Sequence, residues 1–127
     1  MRTSIATQLK TITGFGNRVY QAYAAPVGVS KPYCTFKITE NDPSLNNKHG
    51  EFLGLQIFIY YNPSSFTPID ALIKEVKTKL DDVTLTIDES PERYFVPEFV
   101  RTQADFFDDI AKLFSKRMDF IIPRYRV

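Results

Sequence analysis

The chain has 127 residues, of which 43% are hydrophobic and 24% charged, and these values indicate one globular domain over residues 1–127 rather than a disordered chain. Its 16 Lys and Arg and 15 Asp and Glu leave a net charge of +1, which excludes a global field that would draw it onto nucleic acid or an anionic membrane. The single cysteine, Cys34, excludes an internal disulfide and a cysteine-based metal cluster.

The amino-terminal segment is predicted to form a short amphipathic helix over residues 3–13. Ile5, Leu9 and Ile12 recur there at helical spacing, and Gly14 follows them as a stop signal. The segment contains neither an unbroken apolar run nor a small-residue cleavage site, and no apolar run in the sequence approaches the roughly 20 residues of a membrane span. We therefore expect a soluble, intracellular protein.

The next clear pattern is a strand followed by a long loop. Alternation in YCTFKITE, residues 33–40, places Cys34, Phe36 and Ile38 on one buried face, so Cys34 is predicted to be a packed thiol. The segment NDPSLNNKHG, residues 41–50, is polar and is predicted to be a surface loop, longer than a hairpin requires.

The segment GEFLGLQIFIYY, residues 50–61, is apolar on both faces of a predicted strand. One face carries Leu53, Leu55, Ile57, Ile59 and Tyr61, and the other carries Phe52, Gly54, Gln56, Phe58 and Tyr60. The first set can bury a helix, whereas the second would be an exposed apolar patch of the kind that marks an interface. The candidates to cover it are the amino-terminal helix, the aromatic-rich arm at 94–107, or another copy of the chain. We predict that the arm or another copy does so.

The most regular helical pattern lies at residues 67–80. Thr67 is a candidate cap, Pro68 suits the first helical position, and a core-facing stripe follows at Ile69, Leu72, Ile73, Val76 and Leu80. Beyond it, Val83, Leu85 and Ile87 alternate as in a strand.

The carboxy-terminal third of the chain is less regular. ESPERYFVPEFVRTQADF contains two prolines and is interpreted as an irregular or partly extended arm, DFFDDIAKLF as a helical turn or strand edge, and KRMDFIIPRYRV as a closing extended stretch. The whole pattern predicts an α+β fold: a mostly antiparallel sheet of four or five strands, packed on one side by the central amphipathic helix and the short amino-terminal helix.

The sequence offers little support for an enzymatic function. His49, the single histidine, falls in the loop at 41–50, where a general base would be poorly held. Asp105, Asp108 and Asp109 could approach one divalent cation on a helical turn, but no Gly-rich phosphate loop accompanies them. We interpret them as solvated or arginine-paired carboxylates, and we expect no enzymatic activity, no metal and no cofactor. A small metal-dependent enzyme that uses these three residues is the less favoured alternative.

Four segments follow one another in a familiar order: RVYQAYAAPVGVSKPYCTFKITENDPS, LGLQIFIYYNP, the helical IDALIKEVKTKL, and TQADFFDDIAKLFSKRMDFIIP. In this order the chain resembles the tail completion, or tail terminator, proteins of long-tailed bacteriophages and prophages, although the insert ESPERYFVPEFV departs from shorter versions of the family. The resemblance implies a non-enzymatic ring, usually hexameric, that caps the finished tail tube and joins the tail to the head. It implies a location at the head–tail junction of the virion, and in the bacterial cytoplasm during assembly.

The partners that the resemblance implies are further copies of the chain, the tail tube protein and head–tail connector proteins. DNA would pass through the lumen without specific binding, and no membrane would be involved. From the pattern of exposed positions, we predict that contacts between subunits are made by Phe52, Phe58 and Tyr60. Contacts with tube or connector are predicted for the loop residues Asn41, Asp42, Asn46, Lys48 and His49. A head-side connector or neck subunit is the alternative function.

Overall fold

The described part of the protein is built from one sheet and two α-helices. The computed structural model describes residues 1–22, 24–25, 32–40, 53–61, 66–87, 90–108 and 113–126. In chain order its elements are α1 (Arg2–Lys10), a 3-10 turn (Thr13–Phe15), β1 (Val19–Gln21), β2 (Tyr33–Glu40), β3 (Leu53–Tyr61), α2 (Phe66–Leu80), β4 (Leu85–Ile87), β5 (Ser90–Thr102), β6 (Phe106–Asp108) and β7 (Leu113–Arg126). The predicted α+β class is confirmed.

The strands form a single seven-stranded sheet in the order β1-β2-β3-β7-β5-β4, with β6 paired to β7. β1 runs parallel to β2, and all other pairs among the described strands are antiparallel. The sequence predicted only four or five strands. The segment 89–106, predicted to be an irregular or partly extended arm, is mainly extended and contains all of β5, and the ambiguous segment after it forms the strand β6.

Pro97 did not prevent β5 from forming, because the register of the strand shifts next to it, between Val96 and Glu98. A bulge of this kind tolerates a residue without an N–H group. The turn after α2 then binds the outer edge of the strand: the Asp82 N–H donates to the Pro97 carbonyl at 2.8 Å. The Phe99 N–H donates to Asp81 Oδ1, also at 2.8 Å. The strand is therefore held by a tertiary contact that no local pattern reveals.

The core lies between one face of the sheet and the two helices. α2 contributes its predicted stripe, although the helix begins at Phe66, before the Thr67 that was expected to cap it. The buried residues are Ile5 and Leu9 from α1, Ile69, Leu72, Val76 and Leu80 from α2, and a sheet face that includes Phe36, Leu55, Ile57, Ile59, Phe95, Met118 and Phe120. Within the described residues, neither helix combines the length and apolar character that a bilayer crossing requires.

The sheet is curled, as its contacts with α1 demonstrate. α1 packs against both β1 and β4, which stand at opposite ends of the strand order. The Ser4 hydroxyl donates to the Thr86 carbonyl in β4, and Gln8 Nε2 donates to the Lys79 carbonyl of α2 at 2.9 Å. A flat sheet of six strands would be about 24 Å wide, more than twice the diameter of a helix. The strands therefore wrap around α1, and the opposite face of the sheet is left on the outside.

Candidate interaction surface

The outer face of the sheet is not covered by either described helix, and we call it the uncovered face. Its central rows follow from the strand register and comprise Tyr33, Thr35, Lys37 and Thr39 of β2, Gly54, Gln56, Phe58 and Tyr60 of β3, and Ser115, Arg117, Asp119 and Ile121 of β7. Along β3 the two faces differ in burial, since Leu55, Ile57 and Ile59 are fully buried whereas Gln56, Phe58 and Tyr60 are half-buried. The two faces predicted from the sequence are thus distinct in the fold.

An aromatic row crosses one end of the uncovered face. Tyr33 stacks on Tyr60, with ring centroids 4.8 Å apart and planes inclined by 18°. The register continues this row through Ser115 to Phe106 on β6, whose side chain is 64% exposed. Burial, together with the neighbouring Tyr60, raises the pKa of the Tyr33 hydroxyl, so this group is a neutral hydrogen-bond donor at physiological pH. Rings concentrated in this way are typical of the centre of a protein interface.

Phe58 extends the row into an aromatic cluster. It lies two residues from Tyr60 on the same face, between Thr35 of β2 and Arg117 of β7. Sequence reasoning identified Phe58 and Tyr60 but missed Tyr33 and Phe106, because only the cross-strand register brings those two to the same end of the face. Alternation in YCTFKITE does place Tyr33 on the outer face, and this was the available signal.

The opposite side of β6 carries a second exposed ring. Phe107 is 41% exposed and packs on Phe114 of β7, with ring centroids 4.5 Å apart. Phe114 in turn lies 5.6 Å from the ring of Tyr61. Among the described strands, β6 pairs only with β7. The other edge of β6, next to the exposed rings of Phe106 and Phe107, therefore has no neighbouring strand in the described chain.

Asp119 anchors the polar end of the uncovered face. Arg101 Nε and Gln103 Nε2 donate to its Oδ2 atom at 2.9 and 3.0 Å. Arg117 Nη2 donates to the same oxygen at 3.4 Å, and Arg117 Nε lies 3.0 Å from Oδ1 without hydrogen-bond geometry. Burial alone raises the pKa of Asp119, but the hydrogen bonds and the two guanidinium charges outweigh it and lower the pKa. Asp119 therefore stays ionised and holds two arginines on this face.

Asp105, one of the three predicted cation ligands, is engaged in a different cluster. The Tyr61 hydroxyl donates to Asp105 Oδ1 at 2.6 Å, and Lys116 Nζ lies 3.7 Å from the same atom. Burial and the hydrogen bond to Asp105 raise the pKa of Tyr61, so the phenol stays protonated. Asp105 is thus paired with a lysine rather than an arginine, and it ties the start of β6 to the end of β3.

We expect Tyr61→Phe to lower the free energy of unfolding by about 1 kcal/mol, the usual net contribution of one such hydrogen bond. The substitution removes the bond to Asp105 and keeps the ring that packs on Phe114. Urea denaturation monitored by circular dichroism measures the change. Tyr60→Phe, which removes a hydroxyl from the opposite face, is the matched control and should cost less. Equal stability of Tyr61→Phe and the wild type would contradict the role of this bond.

No metal centre forms among the described residues, where no group of three or more His, Cys, Asp and Glu side chains is placed to hold an ion. Asp108 belongs to β6, and Asp109 lies outside the described residues.

Cys34 is fully buried, and burial raises the pKa of its thiol, which confirms the predicted packed thiol. The predicted interface residue Phe52 and the predicted partner loop also lie outside the described residues: Asn41, Asp42, Asn46, Lys48 and His49.

A chain of the virion of a native gene transfer agent particle has a similar structure. The match has a TM-score of 0.68 at 16% sequence identity, and it covers 99% of this chain and 95% of that chain. No protein-family model matches the sequence, and a search of curated proteins also found no match. The two chains therefore share a fold over essentially their whole lengths.

Proposed function

We propose that this protein is a structural component of a phage-like virion, where it acts as a tail completion protein. In this role it forms a ring, usually of six subunits in the family it resembles, that caps the tail tube and joins the tail to the head. The observation that carries the proposal is the whole-chain structural match to a virion chain, which covers 99% of this chain. The order of sequence motifs supports it independently. The role is geometric, without enzymatic chemistry or a cofactor.

The uncovered face is the surface that we propose for contact between subunits. It combines the half-buried Phe58 and Tyr60 with the stacked Tyr33 and the exposed Phe106. Removing such rings from water contributes roughly 25 cal/mol per Å² of apolar surface, before the cost of association. A ring needs a head-to-tail contact, in which this face meets a different surface of the next subunit. Phe52 remains a predicted contact between subunits, and the loop at 41–50 remains a predicted contact with the tube or connector.

The near-neutral charge supports passage of DNA through such a ring. Each phosphate that a protein neutralises adds salt-dependent affinity, and strong binding would retard DNA. The net charge here is +1, and on the uncovered face Asp119 offsets part of the charge of Arg101 and Arg117. DNA would therefore pass the ring without specific binding.

Deletion of the gene in the producing strain tests the role in the virion. Without a tail terminator, electron microscopy should show tail tubes of uncontrolled length and DNA-filled heads that lack tails. The tagged protein should copurify with the tail tube protein. Tails of normal length together with defective heads, and copurification with the portal instead, would overturn the tail role and favour the head-side connector.

Phe58→Asp tests the proposed subunit contact. We expect the wild type to form a closed oligomer, or to shift between monomer and ring with concentration, while Phe58→Asp remains a folded monomer because a carboxylate is costly to bury at an interface. Light scattering across a concentration series gives the absolute mass, and circular dichroism reports folding. Thr84→Asp adds the same charge at an exposed position after α2 and should assemble as the wild type does.

Two results would contradict this contact. Assembly of Phe58→Asp that matches the wild type would exclude the uncovered face as the interface. A wild type that stays monomeric at high concentration, with an unfolded Phe58→Asp, would place Phe58 in an internal core. Ring formation would then require the tube end as a template.

A further inference from the structure

A groove between α1 and the outer edge of β1 lies apart from the uncovered face. It encloses about 570 Å³. One wall is formed by Arg2, Thr3, Ala6, Thr7 and Lys10 of α1, and the other includes Val19–Gln21 of β1. Nothing in the proposed function uses this groove.

The β1 wall of the groove is a sheet edge. The Cys34 N–H donates to the Arg18 carbonyl, and the Ala22 N–H donates to the Phe36 carbonyl. Because backbone groups alternate along a strand, the N–H and C=O groups of Val19 and Gln21 point away from β2. Among the described strands, β2 is the only neighbour of β1. The Val19 N–H already donates to the Asn17 carbonyl, and the Gln21 carbonyl already accepts from the Ala24 N–H. The Gln21 N–H and the Val19 carbonyl are therefore the edge groups that an added strand would meet.

The α1 wall of the groove carries two cationic side chains, Arg2 and Lys10. Arg2, Ala6 and Lys10 are spaced four residues apart and share one side of the helix, with the small Ala6 in the middle. The eight-residue separation places the Cα atoms of Arg2 and Lys10 about 12 Å apart. Both side chains are exposed, and no acidic residue is among the described residues that line the groove.

This spacing matches an extended chain. Residues four apart on a strand lie about 13 Å from each other and point to the same side. We propose that the groove binds an extended acidic segment of a partner protein, which adds to the outer edge of β1 and places two carboxylates, four residues apart, on Arg2 and Lys10. Backbone hydrogen bonds to the edge of β1 supply affinity, and the two cations select the acidic spacing. The proposal does not depend on the role in the virion.

A displayed peptide library tests this proposal on the whole protein. Random twelve-residue peptides on yeast are sorted against the wild type and against Arg2→Glu/Lys10→Glu. We expect the wild type to enrich peptides with acidic residues four apart, and we expect these to bind the double variant at least about tenfold more weakly, since attraction becomes repulsion at both ends. Lys74→Glu/Lys77→Glu, with the same change in net charge on the exposed side of α2 and away from the groove, should bind them as the wild type does.

Amide chemical shifts locate the bound peptide. Titration of the tightest peptide into the labelled protein should perturb the amides of Val19, Gln21 and Ala22. Enriched peptides without an acidic bias, equal affinity for the two double variants, or a library without binders would overturn the proposal. Perturbation confined to Gln56, Phe58 and Tyr60 would also overturn it, because the peptide would then occupy the uncovered face.

Discussion

Phe120→Ala is expected to lower the free energy of unfolding by about 3–5 kcal/mol, a large part of the 5–15 kcal/mol that stabilises a typical domain. Phe120 is almost completely buried on the core face of β7. Its ring meets Phe99 edge to face, with centroids 5.6 Å apart, and its strand position lies opposite Leu55. Truncation removes apolar contacts with both neighbouring strands and leaves a cavity that the sheet cannot close by local movement.

Ile121→Ala is the matched control for this prediction. Ile121 is the next residue of β7 but lies on the uncovered face, where it is half-buried. Its truncation should cost less than half as much, because part of its side chain is already in contact with water. Urea denaturation of both variants gives the midpoint and the slope. A larger loss for Ile121→Ala would mean that the two faces of β7 are assigned the wrong way round.

Asp119→Ala should lower the free energy of unfolding by about 1–3 kcal/mol at neutral pH, the cost of leaving charged hydrogen-bond donors without their acceptor. Asp119 is 14% exposed and binds Arg101, Gln103 and Arg117 at once. The loss stays within this range because Arg101, the more exposed of the two arginines, can return to water. Stability equal to that of the wild type would show that the cluster is not stabilising.

The pH dependence separates the charge of Asp119 from its shape. The folded state holds the pKa of this carboxyl below its ordinary value of 3.8, so its contribution is complete above that value and is lost as the pH falls through the folded pKa. Asp119→Asn keeps the size of the side chain and removes its charge. The stability difference between wild type and Asp119→Asn should therefore be constant near neutral pH and shrink below about pH 4. A difference that does not change on acidification would contradict the lowered pKa.

Local patterns predicted the elements whose own periodicity matches their burial. The stripe of α2 and the two faces of β3 were readable because spacing along a helix or strand determines which side chains share a face. β5 was predicted only as an irregular or partly extended arm, since Pro91 and Pro97 suggest a break when only neighbouring residues are considered. Its pairing with β7 and its hydrogen bonds to Asp81 and Asp82, from the turn after α2, bring in residues that are distant in sequence.

The residues of the candidate surface also separate into those that local alternation predicts and those that only strand pairing brings together. Phe58 and Tyr60 were predicted because they alternate with core residues in one strand. Tyr33 joins them through a β2–β3 register that the sequence does not specify, and Phe106 joins through β6. The Asp119 cluster was also missed, since Gln103 and Arg101 lie 16 and 18 residues away from it along the chain. Such groups meet only after the β5–β7 pairing has formed.

The central position of β7 has a consequence for biosynthesis. This strand is the last described element in sequence, yet it lies between β3 and β5 and pairs with both over most of its length. Until residues 113–126 have left the ribosome, β3 and β5 each lack a partner along one edge, and the apolar row from Leu53 to Tyr61 has no neighbour on that side. Pairing between segments this distant is slow, and exposed apolar edges aggregate. The nascent chain is therefore expected to depend on chaperones until residues 113–126 have emerged and paired with β3 and β5.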